Sequence, residues 1–389
     1  MTKKYALIIA ATAALAWSGP AAAWPGFNWD EWKTQTGAVK PDITSPQAGL
    51  ADLLPLLKNS LEDPRDFPVI TLWTKKRDQI ALNLRKMLGT TTPNTPDTEP
   101  AQVLEEEFTG DYLRQRLSIP ADTGDRIPAY LLVPKRPVAR PMPVMIVLHQ
   151  TQAAGKREAV GLEGDPEMAF ADELAKRGYM CLVPDAVGFG ERIPEGGQPY
   201  DDARAFYEKH PNWSYFGRMN WEIPRLIYYL ERRGDVDMQR IGVIGHSHGA
   251  YGAIMAAATE PRISLVVASC GLTTFRTDPN PERWSHLTPL MPNLGFYLDD
   301  ISQTPIDWHE IAALIAPRPF FNWSTLDDKI FPNTAPLAEV YRQLESLYTL
   351  YNMERKFRGE LAPGEHQFPE EAREQAYAWI DQQFNIVRE

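Results

Sequence analysis

Residues 241–259 read IGVIGHSHGAYGAIMAAAT, and this stretch decides how the rest of the chain is read. Ile241 to Gly245 is a short aliphatic run of the kind that fills a buried strand, and Ala250 to Thr259 is a small-residue helix. Between them, Gly245-His246-Ser247-His248-Gly249 leaves no room for a loop. A chain that passes from strand to helix this abruptly must strain one residue, and the flanking glycines let the strand and helix approach closely. That residue is Ser247, whose hydroxyl is then carried above the edge of the sheet. A bare G-x-S-x-G pentapeptide also arises by chance in glycine-rich turns; the strand before it, the helix after it, and the small residues Ala250 and Gly252 give it meaning.

Working outward, the pattern alternates. Segments of about 104–119 and 127–133 read as a hairpin, and Val144–Leu148 as a fully buried strand of a parallel sheet. Helix 166–177 ends at Gly178 and strand 179–183 at Pro184; helix 219–232 ends at Gly234. After the elbow come helix 249–258, strand 264–270, helix 307–315, strand 319–324, helix 334–350, strand 353–358 and helix 369–385. The expectation is a doubly wound α/β fold, a mostly parallel sheet of about eight strands with helices on both faces. Residues 185–218 and 272–306 break the alternation. Both are rich in Pro, Gly and aromatic residues, and each follows a strand, so each is expected over the carboxyl ends of the sheet where ligands bind.

A serine hydroxyl attacks poorly unless a base takes its proton, and the base needs an acid to fix its tautomer. An elbow of this kind in such a sheet resembles the α/β-hydrolases, whose order along the chain is serine, acid, histidine. The resemblance implies His366, the one histidine beyond every plausible acid, in the loop PGEHQFP. The acid should follow the strand 319–324, where TLDDKIFP offers Asp327 and Asp328; the acid-x-x-x-Pro spacing to Pro332 in that superfamily implies Asp328. The tetrahedral intermediate needs two donors. The backbone N–H of His248 follows from its place after the nucleophile, and the resemblance implies the second from His149-Gln150-Thr151, taken here as the backbone of Gln150. His149 is read as shaping that loop. His246 and His248 form an H-x-H pair, but no local acidic or histidine cluster accompanies them, so no metal and no cofactor is expected.

The likeness extends beyond the triad. LHQTQAAGKREAVGL, ELAKRGYMCLVPDAVGFGER, DVDMQRIGVIGHSHGAYGA, IAPRPFFNWSTLDDKIFP and GEHQFPEEAREQAYAWIDQQF resemble the dienelactone-hydrolase-like and acetyl-xylan-esterase-like branch from about residue 104 onward. Dienelactone hydrolases use cysteine; serine here implies esters. The arginine two residues after the nucleophile in glucuronoyl esterases is absent, His248 and Gly249 standing in that region, which weighs against a uronate ester and keeps it as the alternative. The resemblance favours carbohydrate-linked acetyl or related small acyl esters, with a glucuronoyl-type ester as the alternative. Trp213, Tyr215, Phe216, Trp221, Trp284, Phe296 and Tyr297 in or beside the insertions are read either as sugar-stacking faces or as lid core.

Composition narrows partners and compartment. Lys3 and Lys4, an apolar stretch to Trp17, and Ala21-Ala22-Ala23 form a leader with an A-x-A cleavage site, giving a signal peptide over 1–23 and an exported, periplasmic or secreted product without a membrane anchor. The formal net charge is −11, and losing two leader lysines makes it more negative; such a field repels nucleic acid, so a small-molecule or carbohydrate ester is expected. Residues 24–103 read as a helical, irregular lead-in packed on a catalytic domain over 104–389. Cys181 and Cys270 lie in apolar strand-like runs and read as two buried free thiols rather than a bridge. A peptidase of the propeller-bearing kind would need more chain than precedes the sheet. A non-catalytic binding protein would have no use for serine, acid and histidine together. If Asp328 is the acid, Asp328→Asn, which favours the wrong histidine tautomer, will reduce kcat at least tenfold more than Asp327→Asn on the same ester; the reverse ranking moves the acid by one residue.

Overall fold

The computed structural model describes residues 26–43, 67–89, 99–122 and 124–388; the leader expected over 1–23 lies outside them. Among the described residues two helices precede the sheet, α1 (Trp29–Thr36) and α2 (Phe67–Leu88). They are tied to the main body by polar contacts across long sequence separations. Trp73 Nε1 donates to the Tyr351 hydroxyl at 2.9 Å, and Asn83 Nδ2 to the Pro305 carbonyl at 2.8 Å.

The sheet begins with β1 (Gln102–Phe108), β2 (Tyr112–Asp122), β3 (Asp125–Pro134) and β4 (Met142–Leu148). Helices α3 (Lys156–Ala159) and α4 (Phe170–Lys176) lead to β5 (Met180–Pro184), and α5 (Ala203–Lys209) and α6 (Tyr215–Glu231) to β6 (Val236–His246). Next come α7 (His248–Thr259), β7 (Leu265–Ser269), α8 (Trp308–Ala313), β8 (Phe320–Thr325), α9 (Thr334–Leu350), β9 (Phe357–Ala362) and α10 (Glu370–Gln383). The nine strands stand in the order β1-β2-β3-β5-β4-β6-β7-β8-β9. β1, β2 and β3 form an antiparallel meander that joins β5, and every pair from β5 to β9 is parallel. With β1 set aside, this is the strand order of an α/β-hydrolase.

Two expectations need correction. The segment 104–119 is not one strand: it folds back at Gly110, whose φ of 98° suits glycine, and among the described residues the sheet expected with about eight strands has nine. The last strand runs over 357–362 instead of 353–358, because Asn352 takes a φ of 55° and Glu354–Lys356 coil into a 3-10 turn before pairing with β8 can start.

Strand register positions the site. β4, β5, β7 and β8 are buried almost throughout, as parallel strands covered by helices must be. Leu148 pairs with Gly245, His246 with Ser269, Ser269 with Trp323 and Thr325 with Ala362. The segments after β4, β6, β8 and β9 therefore leave the same edge of the sheet, carrying Gln150, Ser247, Asp328 and His366. The two insertions pack together over α7: Trp284 meets Phe216, Tyr251, Trp308 and Phe331 at ring separations of 6.2, 5.1, 5.1 and 6.0 Å. Trp213, Tyr215, Phe216, Trp221, Trp284 and Tyr297 are all at most 9% exposed, so they are lid core rather than an open stacking platform.

The closeness of α7 to the sheet rests on two glycines. A Cβ on Gly245 would lie 2.2 Å from backbone atoms of Gly249, and one on Gly249 would lie 1.9 Å from the Leu148 carbonyl oxygen. Backbone cannot step aside as a side chain can. Gly249→Ala is expected to cost about 3 kcal/mol or more in urea unfolding, whereas Gly252→Ala, which meets only the Leu148 side chain at 3.3 Å, will cost far less; equal costs would show that the elbow is not tightly packed.

Candidate active site

Ser247 has φ 52° and ψ −116°, a conformation that L-residues adopt only under constraint. Its N–H donates to the Ser269 carbonyl at 2.8 Å, and its own carbonyl accepts from Ala250 and Tyr251 at 2.9 and 3.2 Å. The serine is thus clamped between β7 and the first turn of α7. His248 is the first residue of that helix, where a backbone N–H has no carbonyl four residues back to bond and the helix dipole favours negative charge.

The two histidines that flank Ser247 turn to opposite sides. The His246 ring lies 4.9 Å from that of His366, and its Nδ1 is 3.1 Å from Ser269 Oγ. The His248 ring stacks on that of His149 at 6.0 Å and packs against Phe189 and Tyr251 at 4.9 and 5.1 Å. Rings so divided do not share a coordination site. Burial holds both well below the ordinary imidazole range, with the neighbouring His366 adding to the effect at His246 and His149 at His248, which falls to about 3. Both are neutral near pH 7.

On the His246 side, His366 Nδ1 lies 2.7 Å from Asp328 Oδ2, and the other carboxylate oxygen accepts from the Ile330 and Phe331 N–H groups at 2.8 and 2.9 Å. The carboxylate is 4% exposed. Its Oδ2 claims the Nδ1 proton and leaves Nε2 of the imidazole free to accept one. Asp327 is exposed, with Oδ2 3.4 Å from the Gly364 N–H, and plays no part in this pairing. The loop carrying His366 is held by Thr325 Oγ1 donating to the Glu365 carbonyl at 2.8 Å and by Cys270 Sγ donating to the Gln367 carbonyl at 3.4 Å.

Cys270 lies one residue past β7, at φ 51°, rather than inside the strand; Cys181 is within β5, and both are free and buried. Among the described residues, Cys270, Asp328 and His366 bring metal-ligating atoms within 4.8 Å of one another. Burial pushes the Cys270 thiol up to about 12, so it is a protonated donor, and the Nδ1 of His366 is already bonded to Asp328. The imidazole is thus held against a carboxylate, with the sulfur as a strut to the loop beside it.

On the His248 side, His149 Nδ1 donates to the Gln150 carbonyl at 2.7 Å and its Nε2 accepts the Ala186 N–H at 3.0 Å, so the ring locks the loop in the manner expected. Gln150 Nε2 reaches Glu158 Oε1 at 3.2 Å. What fixes this loop is not legible in the chain. Lys156, fully buried, places Nζ 2.5 Å from both Asp185 Oδ2 and Glu191 Oε1, while its N–H donates to Asp185 Oδ1 at 2.8 Å. A buried pair of this kind is no guarantee of net stability, but it admits few alternative geometries. A lysine just after a Gly and an aspartate just after a strand were the only signals, and neither names the other.

A model of the family "Glucuronyl esterase, fungi" matches residues 195–340. YtaP of Bacillus subtilis (strain 168), which carries a hydrolase name, is 27% identical over 275 residues, 68% of this chain and 86% of that protein. The 4-O-methyl-glucuronoyl methylesterase 1 of Wolfiporia cocos is 26% identical over 183 residues, 41% of this chain, which spans 44% of that relative's length. Among solved structures, a glucuronoyl esterase from Solibacter usitatus superimposes with a TM-score of 0.67 at 19% identity, covering 89% of this chain and 100% of that one. Strand order and these likenesses together give the chain the α/β-hydrolase fold and make it a hydrolase of ester bonds.

Proposed function

We propose that this is an exported carboxylesterase that hydrolyses a carbohydrate-linked ester through an acyl-enzyme on Ser247, with uronate esters of the glucuronoyl type ahead of acetyl esters. The observation that carries the mechanism is the 2.7 Å contact between Asp328 and His366. In this reading Ser247 Oγ attacks the ester carbonyl carbon while His366 Nε2 takes the hydroxyl proton. Asp328 stabilises the imidazolium. The oxyanion is received by the N–H groups of His248 and Gln150, a contribution that elsewhere amounts to about 3 kcal/mol per donor. Collapse expels the alkoxide, which leaves with the proton from His366. A water molecule then attacks the acyl-enzyme by the same route and frees the acid and Ser247.

The preference for a uronate ester rests on the family match over 195–340, which spans the nucleophile, the acid and the second insertion. It reverses the order favoured by the resemblance read from sequence, in which acetyl esters stood first. The absence of the arginine that glucuronoyl esterases are expected to carry two residues after the nucleophile, with His248 and Gly249 in that region, marks a departure that a different way of handling the substrate must accommodate. Export is supported by the leader pattern over 1–23, and the acidic surface suits a neutral ester better than a polyanion. Among the described residues no helix is long and apolar enough to cross a membrane.

The test is hydrolysis of methyl glucuronate, p-nitrophenyl acetate, acetylated xylan and a peptide anilide by wild type and Ser247→Ala. The proposal expects the uronate ester to have the highest kcat/KM and Ser247→Ala to lose about a thousandfold or more. Faster release of acetate from xylan would restore the acetyl reading, and undiminished turnover by Ser247→Ala would remove the mechanism.

A further inference from the structure

The second insertion does more than pack over α7; it takes hold of the loop that carries Asp328. Thr273 Oγ1 donates to Asn333 Oδ1 at 2.8 Å, and Asn333 Nδ2 to Thr274 Oγ1 at 3.1 Å. The ring of Phe331 stacks on Trp284 at 6.0 Å, lies 5.2 Å from Arg283 Cζ and meets the His366 ring at 5.7 Å. A further bond runs from Arg283 Nη1 to the Ile330 carbonyl, 47 residues along the chain.

That bond falls on a particular peptide. The N–H of Phe331 donates to Asp328 Oδ1 at 2.9 Å, as does that of Ile330 at 2.8 Å. The Ile330–Phe331 peptide is trans, and in a planar trans unit the carbonyl and the N–H point in opposite directions. Arg283 grips one end of this unit and the Asp328 carboxylate the other, so the place where the guanidinium holds the oxygen decides where the N–H points. A cation on the carbonyl also polarises the peptide and strengthens the bond at its far end. Asp328 Oδ2 is left to His366 Nδ1 at 2.7 Å.

Arg283 is itself aimed. Its Nε lies 3.0 Å from Asp278 Oδ2 and its Nη2 3.3 Å from Asp278 Oδ1. The Asp278 side chain is fully buried and accepts from the Asn280 N–H at 2.9 Å and Trp284 Nε1 at 3.3 Å. A planar guanidinium pinned at two nitrogens has little freedom in where it turns the third. The Asp278 pair is internal to the insertion, whereas the bond to Ile330 leaves it and serves the acid loop.

We infer that Arg283 is a positioning residue for Asp328, so that the second insertion completes the acid–histidine pair as well as covering it. The inference rests on the proposed Ser247 chemistry and adds a residue to it.

The test replaces Arg283 and reads kcat, KM and the low-field proton resonance of the His366 Nδ1–H bonded to Asp328. The ester is whichever of methyl glucuronate, p-nitrophenyl acetate and acetylated xylan wild type turns over fastest. Acylation and deacylation both use His366, so Arg283→Met is expected to lower kcat by about tenfold or more while KM changes less than about threefold. The resonance should weaken through exchange with water. Arg283→Lys, which keeps a cation and a donor for the Ile330 carbonyl, should regain about threefold or more of the lost kcat. His286→Ala is the control for loosening alone: it removes the stack on Trp29 at 4.6 Å that ties the same insertion to α1, and it should leave kcat and the resonance unchanged. Should Arg283→Met not fold, Arg283→Gln, neutral and too short to reach both partners, carries the same expectation. The inference is overturned by unchanged kcat in the folded variants, by a loss confined to KM, by Arg283→Lys no better than the neutral variants, by an equal loss in His286→Ala, or by failure of every Arg283 variant to fold. A wild type that turns over none of these esters would instead remove the Ser247 chemistry on which the inference rests.

Discussion

The rest of the site depends on the strained backbone of Ser247. A φ of 52° with ψ of −116° is unfavourable for serine, and it persists because β6, β7 and α7 close on it from three directions. The bond from its N–H to Ser269 and the near contact of Gly249 with the Leu148 carbonyl leave the chain no relaxed alternative. In return the hydroxyl stands clear of the sheet, and the next N–H lies at a helix start, where negative charge is favoured. Were the helix to pack one side-chain layer further from the sheet, both properties would be lost together.

Around this pivot the site divides into two halves with different physical demands. On the proposed mechanism the His366 half moves protons; it pairs an imidazole with a buried carboxylate that also accepts two backbone N–H bonds, and its loop is tied down through Thr325 and Cys270. The His248 half must hold dipoles still. Its histidines are neutral by burial, its loop is locked through His149, and the Lys156–Asp185–Glu191 group anchors the loop from below. Preorganised donors of this sort lower a barrier because they need no rearrangement when charge develops.

Much of this was legible in the chain because the signals are local. The elbow pentapeptide, the aliphatic strands and helix 334–350 carry their periodicity within a few residues, and the register that follows brings residues 150, 247, 328 and 366 to one edge. What escaped is non-local or conformational. A lysine whose partners lie 29 and 35 residues away gives no pattern. The delayed start of β9 reflects a positive φ at Asn352 that no composition rule demands, whereas the hairpin at Gly110 does carry a local mark, Thr109-Gly110-Asp111 between two strand-like runs. The substrate was the least legible element: aromatic residues that looked like stacking faces are lid core, and the weight passed to a family likeness that the elbow itself, with His248, only partly follows.

The central claim is that Ser247 is an activated nucleophile. It is tested most directly by treating the folded protein with diisopropyl fluorophosphate and locating the adduct by peptide mass mapping. The account predicts a single stoichiometric adduct on Ser247, formed much more slowly when His366 is replaced by glutamine. An intact protein that acquires no adduct, or one that acquires it on another serine, would contradict it.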